Sequence, residues 1–147
     1  YCYDKGDVST MKVIILAAGR GSRLGERTKD RPKCMVEICG KTILERCISS
    51  LEEAGIHRED IAIVTGYRKD LIRVSGVHYF HNKNWEQTNM FLSMMEAKEW
   101  LKAEPCLVCY SDVIFSAHAI KSLAASDAPL AVTYYTGFWE LWARRCV

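Results

Sequence analysis

Apolar residues arrive along this chain in two alternating styles: short β-branched runs, and longer stretches with an apolar side chain every three or four positions. The runs at residues 12–16, 61–65, 77–80, 106–110 and 130–134 read as strands, the first two as strands buried on both faces. Residues 42–54 read as a helix. Ile43, Leu44, Cys47, Ile48 and Leu51 lie on one face, Thr42 and Glu45 form a capping box, and Gly55 supplies the stop. Residues 88–102 repeat the helical period with Met90, Phe91, Met94, Met95 and Leu101, a cluster read as core because thioethers fill irregular gaps. Residues 117–125 form a further helix, and 69–74 a short one. Strands alternating with helices predict an α/β fold, a doubly wound, mostly parallel Rossmann-like sheet with helices on both faces.

Length keeps this picture to one domain over residues 11–147, with residues 1–10 read as an extension ahead of Met11. The longest apolar run, residues 13–18, is far too short for a membrane span, and no signal peptide is readable, so the expectation is a cytoplasmic protein without a membrane partner. A formal net charge of +2 gives no general affinity for nucleic acid. The charge is unevenly spread. Residues 20–33 hold six basic and two acidic side chains, so one loop carries +4 and the remainder about −2. Seven cysteines, an odd number placed within apolar segments, suggest reduced thiols. The pair Cys106 and Cys109 sits on a strand, where three-residue spacing turns the thiols to opposite faces.

In open α/β sheets ligands bind beyond the carboxyl ends of the strands, which singles out three places here. The first runs from Ala17 through Ala18, Gly19, Gly21, Ser22 and Arg23 to Lys33; the second is Gly66-Tyr67; the third is Ser111-Asp112. Gly19 and Gly21 let the backbone approach a phosphate with its N–H groups free to donate. A Walker loop is absent, and a dinucleotide fingerprint would need glycine where Leu24 stands and an acid where the second strand ends in Thr65-Gly66. A dinucleotide-dependent oxidoreductase is thereby disfavoured. Asp112 is the candidate Mg²⁺ ligand, since that ion usually takes one or two carboxylates together with phosphate oxygens. Thr88 and Asn89 read equally as a helix N-cap and as ligand contacts. Trp85, Trp139 and Trp142 are candidates for a quaternary-ammonium cage, with the covering of exposed core as the competing reading. His57, His78, His81 and His118 lack metal-ligand spacing.

LAAGRGSRL followed by RPK resembles the signature of the sugar nucleotidyltransferases, and VTGY, TNMFLS and YSD follow in that family's order. Thr88-Asn89 ahead of residues 90–93 is similar to the bacterial choline-phosphate cytidylyltransferases and their phosphonate-activating relatives. The resemblance spans residues 11 to about 142. It implies that the backbone of residues 16–21 holds the base and phosphates of CTP or another NTP, while Arg23 and Lys33 neutralise the triphosphate and the incoming phosphate of a small-molecule acceptor. It also implies a second acidic metal ligand further along, which these 147 residues do not reveal, so a C-terminal part is expected to be missing. The leading expectation is Mg²⁺-dependent transfer from CTP to phosphocholine. A sugar-1-phosphate enzyme using UTP, dTTP or GTP is the nearest alternative, and a truncated domain that binds nucleotide without turnover is the third. A homodimer is a further open expectation.

Overall fold

β1 (Lys12–Ala17) lies at the heart of a four-stranded sheet because five of its six side chains are apolar and both of its faces are covered. The structure, a computed structural model, describes residues 8–103, 105–137 and 140. After β1 come a two-strand hairpin, β2 (Glu37–Ile38) and β3 (Lys41–Thr42), then α1 (Ile43–Ala54), β4 (Ile61–Thr65) and β5 (His78–His81). Two short helices, α2 (Met90–Met95) and α3 (Lys98–Ala103), lead to β6 (Cys106–Tyr110) and α4 (Ala117–Ala124). The sheet order is β5-β4-β1-β6 with every pairing parallel, and register runs from Val13 opposite Ile61 and Leu107.

Alternation along β1 assigns the two layers. Val13, Ile15 and Ala17 join Leu44, Cys47, Ile48 and Leu51 of α1 and Ile120 of α4 in the larger core. Ile14 turns the other way, onto Val64 and Ala97, with Trp100 and Leu101 of α3 packed alongside. Helices therefore cover both faces, as expected. Cys109 lies in the first layer and Cys106 against the second, the opposite-face arrangement that strand spacing requires. Val8, within the segment set apart as an extension, is also buried in the larger core. Among the described residues no helix is long and apolar enough to cross a membrane.

α1 begins and ends where its sequence says. Thr42 Oγ1 accepts from the Glu45 amide at 3.1 Å, the Glu45 carboxylate accepts from the Thr42 amide at 2.7 Å, and Gly55 closes the helix in the left-handed region. We expect Thr42→Ala to cost about 1 kcal/mol of unfolding free energy, measured by denaturant titration, since the cap satisfies otherwise orphaned N–H groups.

Four expectations are corrected. Residues 130–134 form no strand: Leu130 and Val132 are more than four-fifths exposed and pair with none of the strands. A β-branched pattern states a preference, but a strand also needs a partner edge in register. The helix expected over 88–102 breaks into α2 and α3 around Ala97, whose backbone switches to i→i+3 bonds as its small side chain is pressed wholly out of solvent onto Ile14 and Val64. Nor is the Met90–Met95 cluster core. Met90, Phe91 and Met95 are exposed, and the buried residue of α2 is Ser93. The segment at 69–74 holds only a 3-10 turn, Lys69–Leu71.

Candidate active site

The buried polar residue that rotates α2 is Asn82, directly after β5. Its Nδ2 donates to Ser93 Oγ at 3.0 Å and to Thr88 Oγ1 at 2.7 Å, and its Oδ1 accepts from the Asn84 amide at 2.9 Å. A buried amide left without these partners costs about 1–3 kcal/mol, so Ser93 faces inward and Met90, Phe91 and Met95 face out. Thr88 in turn donates to Asn84 O. Asn89 caps α2 by accepting from the Leu92 amide at 3.1 Å. The N-cap alternative for Asn89 is thus realised in the structure. Asn82 was readable in principle: it too follows a strand of the parallel sheet, the one carboxyl end passed over in the search for ligand positions.

The strand order steps outward from β1 to β5 and then returns to the far side of β1, so the loops leaving β1 and β6 diverge at a switch point. There the sequence-selected residues gather. Ser111 donates its amide to Leu16 O at 3.2 Å, and Tyr67 donates its amide to Ala18 O at 2.9 Å, so the loops after β6 and β4 are both tied to the end of β1. Leaving β1, the chain passes Gly19 and Arg20, enters the left-handed region at Gly21 with φ of 76°, and makes 3-10 turns over Ser22–Thr28. Thr28, fully buried, donates to Gly21 O at 3.0 Å and folds the loop back on itself. Nothing but its place among charged neighbours marks Thr28 in the sequence.

Pro32 then sets the backbone ahead of Lys33, whose ammonium forms an ion pair with Asp112 Oδ2, 79 positions away. Gly21 stands against the lysine stem: a Cβ there would lie 2.7 Å from Lys33 Cβ. The residues adjoining the ion pair, Cys34 and Ser111, are both buried in the interior. Arg23 is exposed on the 3-10 segment. Tyr67 stacks at 5.2 Å between ring centres on Trp85, accepts the Arg20 guanidinium over its face at 5.7 Å, and donates its hydroxyl to Lys29 O. The basic loop is thereby held to the end of β4. Trp139 and Trp142 lie outside the described residues, so of the three tryptophans considered for a cage only Trp85 has a described place.

Asp112 suits a divalent cation that arrives with a nucleotide. It offers one partly exposed carboxylate, and among the described residues no group of three or more His, Cys, Asp or Glu side chains could hold a metal. Such a donor set leaves most of the shell to phosphate oxygens and water, as Mg²⁺ prefers.

Three thiols, Cys34, Cys47 and Cys109, are buried beneath the site. Burial pushes Cys34 and Cys109 up to about 12 and raises Cys47 further, with the other cysteines close by adding to the effect at Cys47. A raised thiol in the folded state stabilises the fold fully below its ordinary value of 9.0 and progressively less above it, because the unfolded chain ionises first. We expect unfolding free energy to fall from pH 9 towards 12, by up to about 1.4 kcal/mol per pH unit for each thiol, as followed by urea titrations at stepped pH. Replacing Cys47 by Ala should flatten that slope.

Comparison with known proteins agrees with this geometry. Residues 13–146 match the model of the MobA-like NTP transferase domain. CTP:phosphoglutamine cytidylyltransferase of Campylobacter jejuni is 34% identical over 145 residues, covering 92% of this chain and 56% of the relative. UTP–glucose-1-phosphate uridylyltransferase AglF of Haloferax volcanii is 33% identical over 116 residues, 74% of this chain and 46% of its own length. Among solved structures, CTP:phosphocholine cytidylyltransferase from Streptococcus pneumoniae superposes with a TM-score of 0.64 at 34% identity, covering 74% of this chain and 50% of that one. The chain thus spans about half the length of the relatives it matches. With its parallel sheet, its glycine-bearing loop after β1 and its match over residues 13–146, the chain belongs to the MobA-like NTP transferase domain family, within the nucleotidyltransferase superfamily.

Proposed function

We propose that this chain carries out Mg²⁺-dependent cytidylyl transfer from CTP to a phosphorylated small molecule, with phosphocholine as acceptor. An acceptor phosphate oxygen attacks the α-phosphorus of CTP in line, the bond from that phosphorus to the bridging oxygen breaks, and pyrophosphate leaves as CDP-choline forms. The attacking oxyanion is nucleophilic at neutral pH without a general base. Repulsion between two anions and charge on the departing pyrophosphate dominate the barrier, so cations and positioning supply the catalysis. In this reading Lys33 and Arg23 neutralise phosphates, the backbone of residues 16–21 with Ser22, Gly66, Tyr67 and Ser111 lines the nucleotide, and Asp112 holds Mg²⁺, which supplies charge neutralisation when bound.

The observation that carries the reading is the convergence of Lys33 and Asp112 beside the Gly21 backbone at the switch point. Cytidylyl transfer as such draws support from the Campylobacter and Streptococcus relatives. The Haloferax relative favours the second reading, uridylyl transfer to a sugar 1-phosphate. Pyrophosphate release measured over a panel of CTP, UTP, dTTP and GTP against phosphocholine, phosphoglutamine, 2-aminoethylphosphonate and glucose 1-phosphate separates them. CTP with phosphocholine is the expected best pair; UTP with glucose 1-phosphate as best pair would replace the proposal by the second reading.

A further inference from the structure

The carboxylate assigned to the metal is engaged by the lysine assigned to the phosphates. Both side chains are about one-third exposed, so neither is locked in the interior. Their backbones, in contrast, are pinned: the adjoining Cys34 and Ser111 are buried, and Ser111 donates its amide to Leu16 O. The lysine stem runs along Gly21, where there is no Cβ to obstruct it. Only the flexible end of one side chain is therefore free to change partner. We propose that Lys33 and a divalent cation compete for Asp112, so that arrival of the metal with its nucleotide displaces the ammonium from the carboxylate onto the phosphates.

This exchange rests on the proposed assignment of Asp112 to the metal and adds a coupling to it. Lys33 is a stand-in cation that neutralises the carboxylate until the metal takes its place. It makes binding of a bare ion weak, because the ion must break the pair, and it makes ion and phosphate arrive together, because the freed ammonium needs an anion. An exposed pair is worth little, so the competition is mild and weakens with salt. The same mildness allows the exchange to proceed.

The test uses Mn²⁺ alone, with free ion counted by electron paramagnetic resonance, on the whole chain and on Lys33→Ala, Lys33→Arg and Asp112→Asn, each checked for fold by circular dichroism. Lys33→Ala is expected to bind Mn²⁺ about three- to tenfold more tightly than the parent at low salt, with the difference shrinking in 0.5 M salt. Lys33→Arg, which keeps the pair, should stay near the parent, and Asp112→Asn should lose the site. Folded Lys33→Ala with unchanged or weaker Mn²⁺ affinity overturns the exchange, as does unchanged binding by Asp112→Asn. Pyrophosphate release, measured separately, tells this failure from failure of the reaction: tightened binding without turnover on any acceptor removes the proposed function and leaves the exchange standing.

Discussion

Lys33→Ala is expected to lower kcat/KM for nucleotidyl transfer by about 10²- to 10³-fold, equivalent to about 2.7–4 kcal/mol of transition-state stabilisation, while the unfolding midpoint stays within experimental error. The two halves of this expectation have different causes. A preorganised cation facing developing phosphate charge acts only as the reaction proceeds. The same ammonium makes a partly exposed pair with Asp112 worth about 0–1 kcal/mol, less after screening. Loss of activity together with loss of fold would mean that Lys33 is structural. Near-normal turnover would remove it from the chemistry. Lys33→Arg keeps the charge but replaces a compact ammonium by a planar fork on a longer reach, so only partial recovery is expected.

Gly66→Ala is the second large effect, and it acts through the backbone. A Cβ there would stand 2.6 Å from Ala18 O and 2.7 Å from Trp85 Cβ, with Trp85 Cγ at 2.9 Å. One obstacle is backbone at the exit of β1, and the other is the root of a side chain already stacked on Tyr67. Neither is the loose end of a flexible chain, so one loop has to move. The Tyr67 amide bond to Ala18 O at 2.9 Å would stretch, and with it the alignment of the glycine loop. Overpacking of this kind costs about 1–3 kcal/mol, and a displacement near 1 Å at a reacting group costs about 10²-fold in rate. Steady-state kinetics with denaturant titration should therefore show both losses in the same variant. A purely local contact would give the stability loss alone.

The contrast between α1 and α2 shows what the sequence could convey. For α1, an apolar stripe, a capping box and a terminal glycine all agree, and each is a local signal, so its bounds and buried face were legible. In α2 the stripe was equally visible, yet it points to solvent because Asn82, eleven residues before Ser93, claims the inward face. A nonlocal hydrogen bond overrode an apolar pattern. Residues 130–134 fail for a related reason: their alternation was legible, their lack of a partner strand was not.

At the site, the carboxyl-end rule selected Lys33 and Asp112 separately. That they form a pair depends on the placing of β6 beside β1, which is a property of the topology and not of either motif. Tyr67 was picked out for its position, but its grip on Arg20 and Lys29 O emerges only when the loop folds back through Thr28. The loop's charge was plain in the sequence; the way it is held was not.

The central claim is that an acceptor phosphate oxygen attacks the α-phosphorus of the nucleotide at the Lys33–Asp112 end of the sheet. It is tested most directly by supplying phosphocholine fully labelled with ¹⁸O on its phosphoryl group, together with CTP and Mg²⁺, and weighing the products by mass spectrometry. The account predicts CDP-choline that retains every label and pyrophosphate that carries none. Label in pyrophosphate or inorganic phosphate, or pyrophosphate formed with no labelled nucleotide product, would contradict it.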